Sequence, residues 1–203
     1  IAHSRSLITE PQASRQIRTM SAAVYTKAAS YYHWMVAAPL IGSIGSVLIA
    51  QNTPKEEKEE KGKWMWRHKS LGVLTGIIVL PRFSYRLLNM GKYKIANLPG
   101  ESPIVAAAGK AGHMFLYGFM TIMPITGIAM GMYGGKGLPF FWTTIPGFEQ
   151  KNGKLAGQSF KIHKFVGEYG KYLVPIHAGA AFGHAATGQK IFARINPFRR
   201  PMH

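Results

Sequence analysis

The sequence predicts an all-α protein built around a four-helix transmembrane bundle. Four apolar stretches each come close to the roughly 20 residues with which a helix crosses a hydrocarbon core of about 30 Å. Each stretch contains one proline, which a membrane bundle accommodates more readily than the interior of a soluble helix does. Glycine recurs in all four stretches, and small residues allow helices in lipid to approach closely. Together these observations predict a tightly packed helical membrane protein.

The four predicted spans follow one another along a chain of 203 residues. They cover residues 31–50, 71–88, 104–132 and 165–187, with expected kinks at Pro39, Pro81, Pro124 and Pro175. We expect one membrane domain over residues 31–190, a basic N-terminal arm over residues 1–30 and a basic C-terminal tail over residues 191–203. No glycine-rich phosphate motif follows a strand pattern, so we expect no flavin or nicotinamide domain.

Four histidines lie near the ends of these spans, and their depths match in pairs. If the first span runs from a side named N to the opposite side, P, then His33 lies near side N, whereas His68 and His163 lie near side P. His177 follows His163 by 14 residues. That separation is roughly 21 Å of helix and leaves both side chains within about 40° of one helix face. The spacing therefore pairs His33 with His177 and His68 with His163.

Paired histidines at membrane depth indicate a metal-bound cofactor, because an uncompensated ionisable side chain there is costly. A lone histidine is more often a hydrogen-bonded core residue, but four with complementary depths favour two bis-histidine haems. The chain has no cysteine, which excludes covalent C-x-x-C-H attachment and iron–sulfur clusters and leaves non-covalent haem b. Tetrahedral zinc, the competing metal, needs its ligands clustered at one depth. Arg82 reaches the depth of His33 and His177, where its guanidinium can pair with a haem propionate.

Residues on all four spans also match a known pattern. They are His33-Trp34, Trp64, Arg67-His68-Lys69-Ser70, Gly72, Arg82, Arg86, His113, Leu116-Tyr117, Pro124-Ile125-Thr126-Gly127, His163, Gly167, His177, Ala181 and His184. With them the chain resembles the bacterial-type cytochrome b-561 family, four-helix membrane cytochromes that carry two b haems. The resemblance covers most of residues 25–197 and implies the same ligand pairing as the helix geometry. It adds Arg67 to the candidate cofactor-binding residues.

The resemblance implies electron transfer between the two haems and a membrane quinone, with superoxide as a second redox partner of some family members. A quinone site needs hydrogen-bond donors beside a haem, and ubiquinone is the candidate cofactor. Lys110, His113 and His184 are the candidate donors, because all three approach side N. In the alternative interpretation, His113 and His184 only bond backbone carbonyls.

Three further segments carry no cofactor chemistry in this prediction. Residues 54–63, with mixed charge, are expected to form a solvated connector. Residues 134–160 are rich in aromatic residues and are interpreted as an interface belt rather than as a cap over the P-side haem. Lys164, Glu168 and Lys171 form a stripe beside the ligand face. We interpret it as lysines that snorkel to the surface with a local ion pair, with a protein contact as the alternative.

Charge and composition indicate the environment of the protein. The formal net charge of +17, with basic residues in tails and loops, indicates contact with anionic membrane lipids rather than nucleic acid. The positive-inside rule places side N inside. The first thirty residues are rich in Arg and Ser and nearly free of acid, as organelle transit sequences are. We therefore expect the mitochondrial inner membrane, with a bacterial plasma membrane as the alternative.

Three functions from different classes fit these features. The matched histidines favour a di-haem electron carrier. A one-haem membrane anchor of a larger dehydrogenase would leave two of the histidines without a role, and an accessory subunit of a respiratory complex would keep only the fold. Since no flavin or substrate domain is expected, electrons must come from elsewhere, and we expect the chain to work in a membrane protein complex or a homodimer.

Overall fold

The computed structural model of the chain describes residues 27–88 and 102–198. Three long helices come first, and they are α1 (Lys27–Asn52), α2 (Lys58–Leu88) and α3 (Pro103–Tyr133). A two-stranded sheet of β1 (Leu138–Phe140) and β2 (Thr143–Ile145) follows, and then α4 (Gly153–Gly170), α5 (Leu173–Ala186) and α6 (Ile191–Ile195). The described part of the chain is mainly helical, as predicted. Residues 1–26 of the predicted arm and residues 199–203 of the predicted tail lie outside it.

The helices pack in chain order, α1 on α2, α2 on α3 and α3 on α4. Glycines lie in the contact between α1 and α2 and in the contact between α2 and α3. A Cβ atom added to Gly42 would lie 2.9 Å from a methyl carbon of Leu71, and one added to Gly76 would lie 2.9 Å from Pro124. The close approach therefore depends on the absence of side chains at these positions, as expected for helices that pack in lipid.

Helix α2 begins inside the segment that was expected to connect the first two spans. Residues 58–63 form its first, solvated turns. Glu59 and Glu60 lie in the first turn, where acidic side chains interact favourably with the helix dipole. The Lys63 ammonium lies 2.8 Å from Glu59 and hydrogen-bonds to it, which lowers the pKa of that carboxyl below its usual value. The charged run is thus part of a helix that extends beyond the apolar stretch.

The fourth predicted span is divided into two helices. Residues 171–172 form a turn between α4 and α5, so the predicted span over residues 165–187 is not one helix with a kink at Pro175 but two helices. Pro175 explains the break, because it has no N–H to donate to the carbonyl of Lys171 and its ring clashes there. In contrast, α1, α2 and α3 continue through Pro39, Pro81 and Pro124.

Two of the described helical segments, Ser30–Asn52 and Pro103–Tyr133, are long and apolar enough to cross a membrane by length and composition. Only 28% and 22% of the residues in their apolar windows are buried within the protein. Exposed apolar side chains are expected where a helix faces lipid. Helix α2 carries charged residues at its start, and the fourth span is divided between α4 and α5.

The small sheet lies within the aromatic segment 134–160 and was not predicted. Its strands pair antiparallel, with Leu138 opposite Ile145. The backbone N–H of Phe141 donates to Ser70 Oγ at 2.9 Å, and Trp66 Nε1 donates to the carbonyl of Phe141 at 2.6 Å. These two bonds attach the hairpin to α2 close to His68. The neighbouring Trp142 is 88% exposed, as a residue of an interface belt would be.

Candidate functional site

The rings of His33 on α1 and His177 on α5, here called the N-side pair, have centroids 6.4 Å apart. Their ring planes are inclined by 52°. His113 on α3 lies beside them, with its ring centroid 5.3 Å from that of His177. Three elements that are separate in sequence therefore bring imidazoles together at this end of the bundle.

The rings of His68 on α2 and His163 on α4, here called the P-side pair, have centroids 6.2 Å apart. Their planes are inclined by 74°. Although the fourth span is broken at residues 171–172, α4 places His163 beside His68 and α5 places His177 beside His33. The two pairs are the ones that helix spacing predicted.

The spacing within each pair suits a single metal ion between the two rings. An imidazole nitrogen binds a transition metal at about 2.0 Å, and the ring centre lies roughly 1.1 Å behind that nitrogen, so two rings on opposite sides of one ion have centroids about 6.2 Å apart. The observed separations of 6.4 and 6.2 Å agree with this value. Both donor sets therefore fit bis-histidine ligation of a haem iron.

Hydrogen bonds fix the orientation of the P-side imidazoles. His68 Nδ1 lies 3.0 Å from the backbone carbonyl oxygen of Ser43, and His163 Nδ1 lies 3.1 Å from that of Met123. A carbonyl oxygen only accepts, so each Nδ1 carries the proton and each Nε2 keeps a lone pair for a metal. A second contact supports each ring, from Ser43 Oγ to His68 and from Thr126 Oγ1 to His163, both at 3.0 Å. Such outer hydrogen bonds orient metal-binding histidines and raise their basicity.

Sequence reasoning missed the supporting roles of Ser43 and Thr126. The sequence signal was a hydroxyl residue inside an apolar span. In the structure both side chains are buried. Gly127 belongs to the sequence pattern on the third span, and its role in the structure is to leave space for the His163 ring. A Cβ atom there would lie 3.3 Å from Cε1 of His163. The absence of a side chain at this position allows the imidazole to pack against α3.

Two arginines were predicted to contact a cofactor. The Arg82 guanidinium is half-buried and lies 5.6 Å from the ring centroid of Tyr32, which precedes His33 in α1. It is therefore close to the N-side pair, as its spacing predicted. Arg67 is exposed and stacks over the Trp64 ring at 4.2 Å. Its guanidinium lies at the surface end of α2, next to His68 in sequence.

The three candidate quinone residues have different surroundings. His113 lies with the N-side pair, and its Nδ1 is 2.7 Å from the carbonyl oxygen of Gly109, which is the contact that the alternative interpretation expected. His184 Nδ1 instead lies 2.6 Å from Oε1 of Gln189. Lys110 is exposed on α3. Only His113 among the three contacts a predicted haem ligand in the described part of the chain.

The charged stripe on the fourth span lies at the break between α4 and α5. Lys171 Nζ is 2.8 Å from Oε1 of Glu168 and 5.2 Å from the ring centroid of Tyr172. Lys164 is exposed. The local ion pair that the sequence suggested is therefore present between Glu168 and Lys171.

Comparison with known proteins gives a consistent result. Residues 24–197 match the model of a family described as prokaryotic cytochrome b561. The chain is 26% identical over 153 residues to a Yersinia pestis protein named probable superoxide oxidase CybB, which covers 75% of this chain and 83% of that protein. It is 28% identical over 127 residues to cytochrome b561 homolog 1 of Escherichia coli (strain K12), or 62% of this chain and 72% of that protein. Both relatives are bacterial, which favours a bacterial membrane over the mitochondrial inner membrane.

Proposed function

This chain belongs to the prokaryotic cytochrome b561 family, and we propose that it is a four-span electron carrier with two b haems. The family consists of haem-containing membrane proteins that transfer electrons. The observation that carries the proposal is the separation of the two histidine pairs. Centroid distances of 6.4 and 6.2 Å match the geometry of two imidazoles on one metal ion, at both ends of the bundle.

The proposed roles of the residues follow from their contacts. His33 and His177 hold one haem, and His68 and His163 hold the other. A bound haem b accepts and releases one electron at its iron. Ser43, Met123 and Thr126 keep the Nε2 atoms of the P-side pair deprotonated and directed towards the metal. Arg82 and Arg67 neutralise the propionates of the N-side and the P-side haem, respectively.

We place the quinone site at side N, where His113 lies beside the N-side pair. Reduction of a quinone to a quinol needs two electrons and two protons, so the site needs groups that donate hydrogen bonds and protons to two carbonyl oxygens. The Nδ1 of His113 bonds the backbone carbonyl of Gly109, so the Nε2 of His113 remains for a hydrogen bond to a quinone oxygen. Two residues supply the further polar groups. Lys110 lies three residues before His113 on α3, and His184 lies on α5.

Superoxide is the proposed second redox partner, at side P. The proposal is supported by the similarity to the Yersinia pestis protein whose name describes it as a probable superoxide oxidase. The overall reaction balances when two superoxide anions give up one electron each and become dioxygen, while one quinone takes up those electrons and two protons. An accessory or membrane-anchor subunit of a larger complex is the alternative, and it would need fewer than two haems.

Haem stoichiometry tests this function. The purified protein is assayed by the pyridine haemochrome method, with the protein concentration from amino-acid analysis. We expect two b haems per chain. One haem per chain would favour the membrane-anchor alternative, and a haem-free protein would favour the accessory one.

A further inference from the structure

The helices that carry the N-side pair are joined in two ways, through the bundle and through the end of the chain. Packing in the described residues joins α1 to α2 and α6, and joins α5 to α3, α4 and α6, whereas α1 and α5 have no comparable direct contact. Residues 188–198, here called the C-terminal strap, include α6 and therefore bridge α1 and α5. The strap therefore links the helices of His33 and His177 directly, beside the longer route through α2 and α3.

The strap is anchored to α5 by three contacts. Gly188, at a φ of 83°, reverses the chain after α5 with a conformation that favours glycine. His184 and Gln189 then bond through His184 Nδ1 and Gln189 Oε1 at 2.6 Å, and the Gln189 N–H donates to the His184 carbonyl at 3.0 Å. Phe192 packs on Phe182, with ring centroids 5.2 Å apart. The start of the strap is thus fixed relative to the helix of His177.

The other end of the strap is anchored to α1. Ser30 Oγ donates to the Arg194 carbonyl at 3.2 Å, and Trp34 Nε1 donates to the Ile195 carbonyl at 3.0 Å. These carbonyls belong to the last turn of α6, where a helix has no partners of its own for them. Tyr31 adds a ring contact with Phe198 at 6.1 Å. Three residues of α1 close to His33 therefore hold the strap.

Trp34 connects these anchors to the ligand itself. Its indole lies edge-to-face with the His33 imidazole, with centroids 5.3 Å apart and planes inclined by 86°. We propose that Trp34 is a positioning residue for His33, and that the C-terminal strap, through its bond to Trp34, sets the geometry of the N-side pair. The proposal deepens the proposed function, since it rests on a haem being held by His33 and His177.

The test compares two tryptophans that make the same kind of bond at opposite ends of the bundle. Trp34→Phe removes the bond to the strap, and the matched control Trp66→Phe removes the bond to the carbonyl of Phe141. Low-spin electron paramagnetic resonance spectra and redox titrations are recorded for both. His177→Ala and His163→Ala identify the signals of the two haems. We expect W34F to keep both haems and to shift the spectrum and midpoint potential of the N-side haem alone, because ligand orientation tunes a haem iron.

A second readout does not need haem. Trypsin cleaves after Arg194 when the strap opens, and mass spectrometry measures the rate. Loss of the Trp34 bond is expected to raise this rate by about fivefold, and the double variant Ser30→Ala/Trp34→Phe by more, since each lost hydrogen bond favours local opening. W66F is expected to leave the rate unchanged.

The outcomes separate the two proposals. If the unaltered protein contains no N-side haem, the proposed function fails, whereas faster cleavage in W34F still supports the bridge between α1 and the strap. If the N-side haem is present and W34F leaves its spectrum and potential unchanged, Trp34 is not a positioning residue. An equal shift of the N-side signals in W66F would also overturn the proposal.

Discussion

Besides the contact between their side chains, Ser43 and His68 bond each other's backbone carbonyls across the contact between α1 and α2. The Ser43 hydroxyl donates to the His68 carbonyl at 3.1 Å, and His68 Nδ1 lies 3.0 Å from the Ser43 carbonyl oxygen. The imidazole is therefore oriented by the neighbouring helix and not by its own. Met123 on α3 plays the same part for His163 on α4. Each P-side ligand is thus tied to the packing of the helix beside it.

Substitution Ser43→Ala tests this coupling. It removes the hydroxyl but keeps the backbone carbonyl, so we expect the P-side haem to stay bound with an altered spectrum, and the free energy of unfolding to fall by about 1 kcal/mol. Ser46→Ala is the matched control, because Ser46 is equally buried on the same helix and donates to the Gly42 carbonyl, at 2.7 Å, rather than to a histidine. An unchanged P-side spectrum in S43A, or the same spectral change in S46A, would contradict the supporting role.

Substitution of the four histidines tests the pairing itself. His33→Ala and His177→Ala should each remove the same haem, and His68→Ala and His163→Ala the other, because the apolar surroundings offer no substitute ligand. Redox difference spectra and haem content measure the losses. If all four variants lost one common haem, the assignment of two separate pairs would be wrong.

Gly127→Ala tests whether His163 needs the space beside α3. The added Cβ would lie 3.3 Å from Cε1 of His163, which is tight, so the imidazole must shift. We expect weaker retention of the P-side haem during purification, with the N-side haem unaffected. Gly62→Ala is the control, since a Cβ atom there meets nothing within 4 Å. Full retention of both haems in G127A would show that the site tolerates the shift.

The sequence was most informative where regular helix geometry decides position. The rise per residue relates residues 163 and 177 to two different histidine partners, and this relation tolerates the turn at residues 171–172. Kinks were expected at all four prolines, but three of these prolines lie inside continuous helices and only the fourth span is divided, so proline alone does not identify a break. Whether a helix continues through a proline depends on its packing against neighbouring helices, which the local sequence does not show.

Long-range contacts explain the other omissions. The hairpin is attached by Trp66 and Ser70, and the C-terminal strap by Ser30 and Trp34, in each case to residues far away in the chain. Three of these side chains donate to a backbone carbonyl, and Ser70 Oγ accepts from the backbone N–H of Phe141. Every residue has such backbone groups, so the sequence does not identify the partner. Sequence patterns therefore predict the helices and the pairing of the histidines, but not the segments that close the two ends of the bundle.

His184→Ala tests the quinone site. Reduced protein in detergent should be reoxidised by a ubiquinone analogue, and we expect H184A and His113→Ala to slow this step while both haems stay bound. Stopped-flow absorbance of the haems measures the rate. Gln189→Ala is the matched control, because it removes the bond to His184 but keeps the imidazole. An equal slowing in Q189A would assign the effect to the strap, and unchanged rates in both histidine variants would remove them from the site.

Removal of the ion pair between Glu168 and Lys171 tests whether the chain works in a larger assembly. Charged groups on a lipid-facing helix surface are costly, although a contacting subunit can relieve that cost. The Lys171 side chain is only 20% exposed but that of Glu168 is 54% exposed, so the carboxylate faces outwards from this chain. We expect the unaltered protein, in mildly solubilised membranes, to migrate on a native gel as a homodimer or a larger complex. The double variant Glu168→Gln/Lys171→Met should shift it towards the monomer.

The control for this variant is the other ion pair with the same separation. Lys63 and Glu59 also lie 2.8 Å apart, but in the solvated first turns of α2, where an exposed pair contributes little. Glu59→Gln/Lys63→Met should therefore leave migration unchanged. If the unaltered chain migrates only as a monomer, or if both double variants dissociate equally, the pair at residues 168 and 171 does not form a subunit contact. In that case the local ion pair serves only to lower the cost of the lysine at the break between α4 and α5.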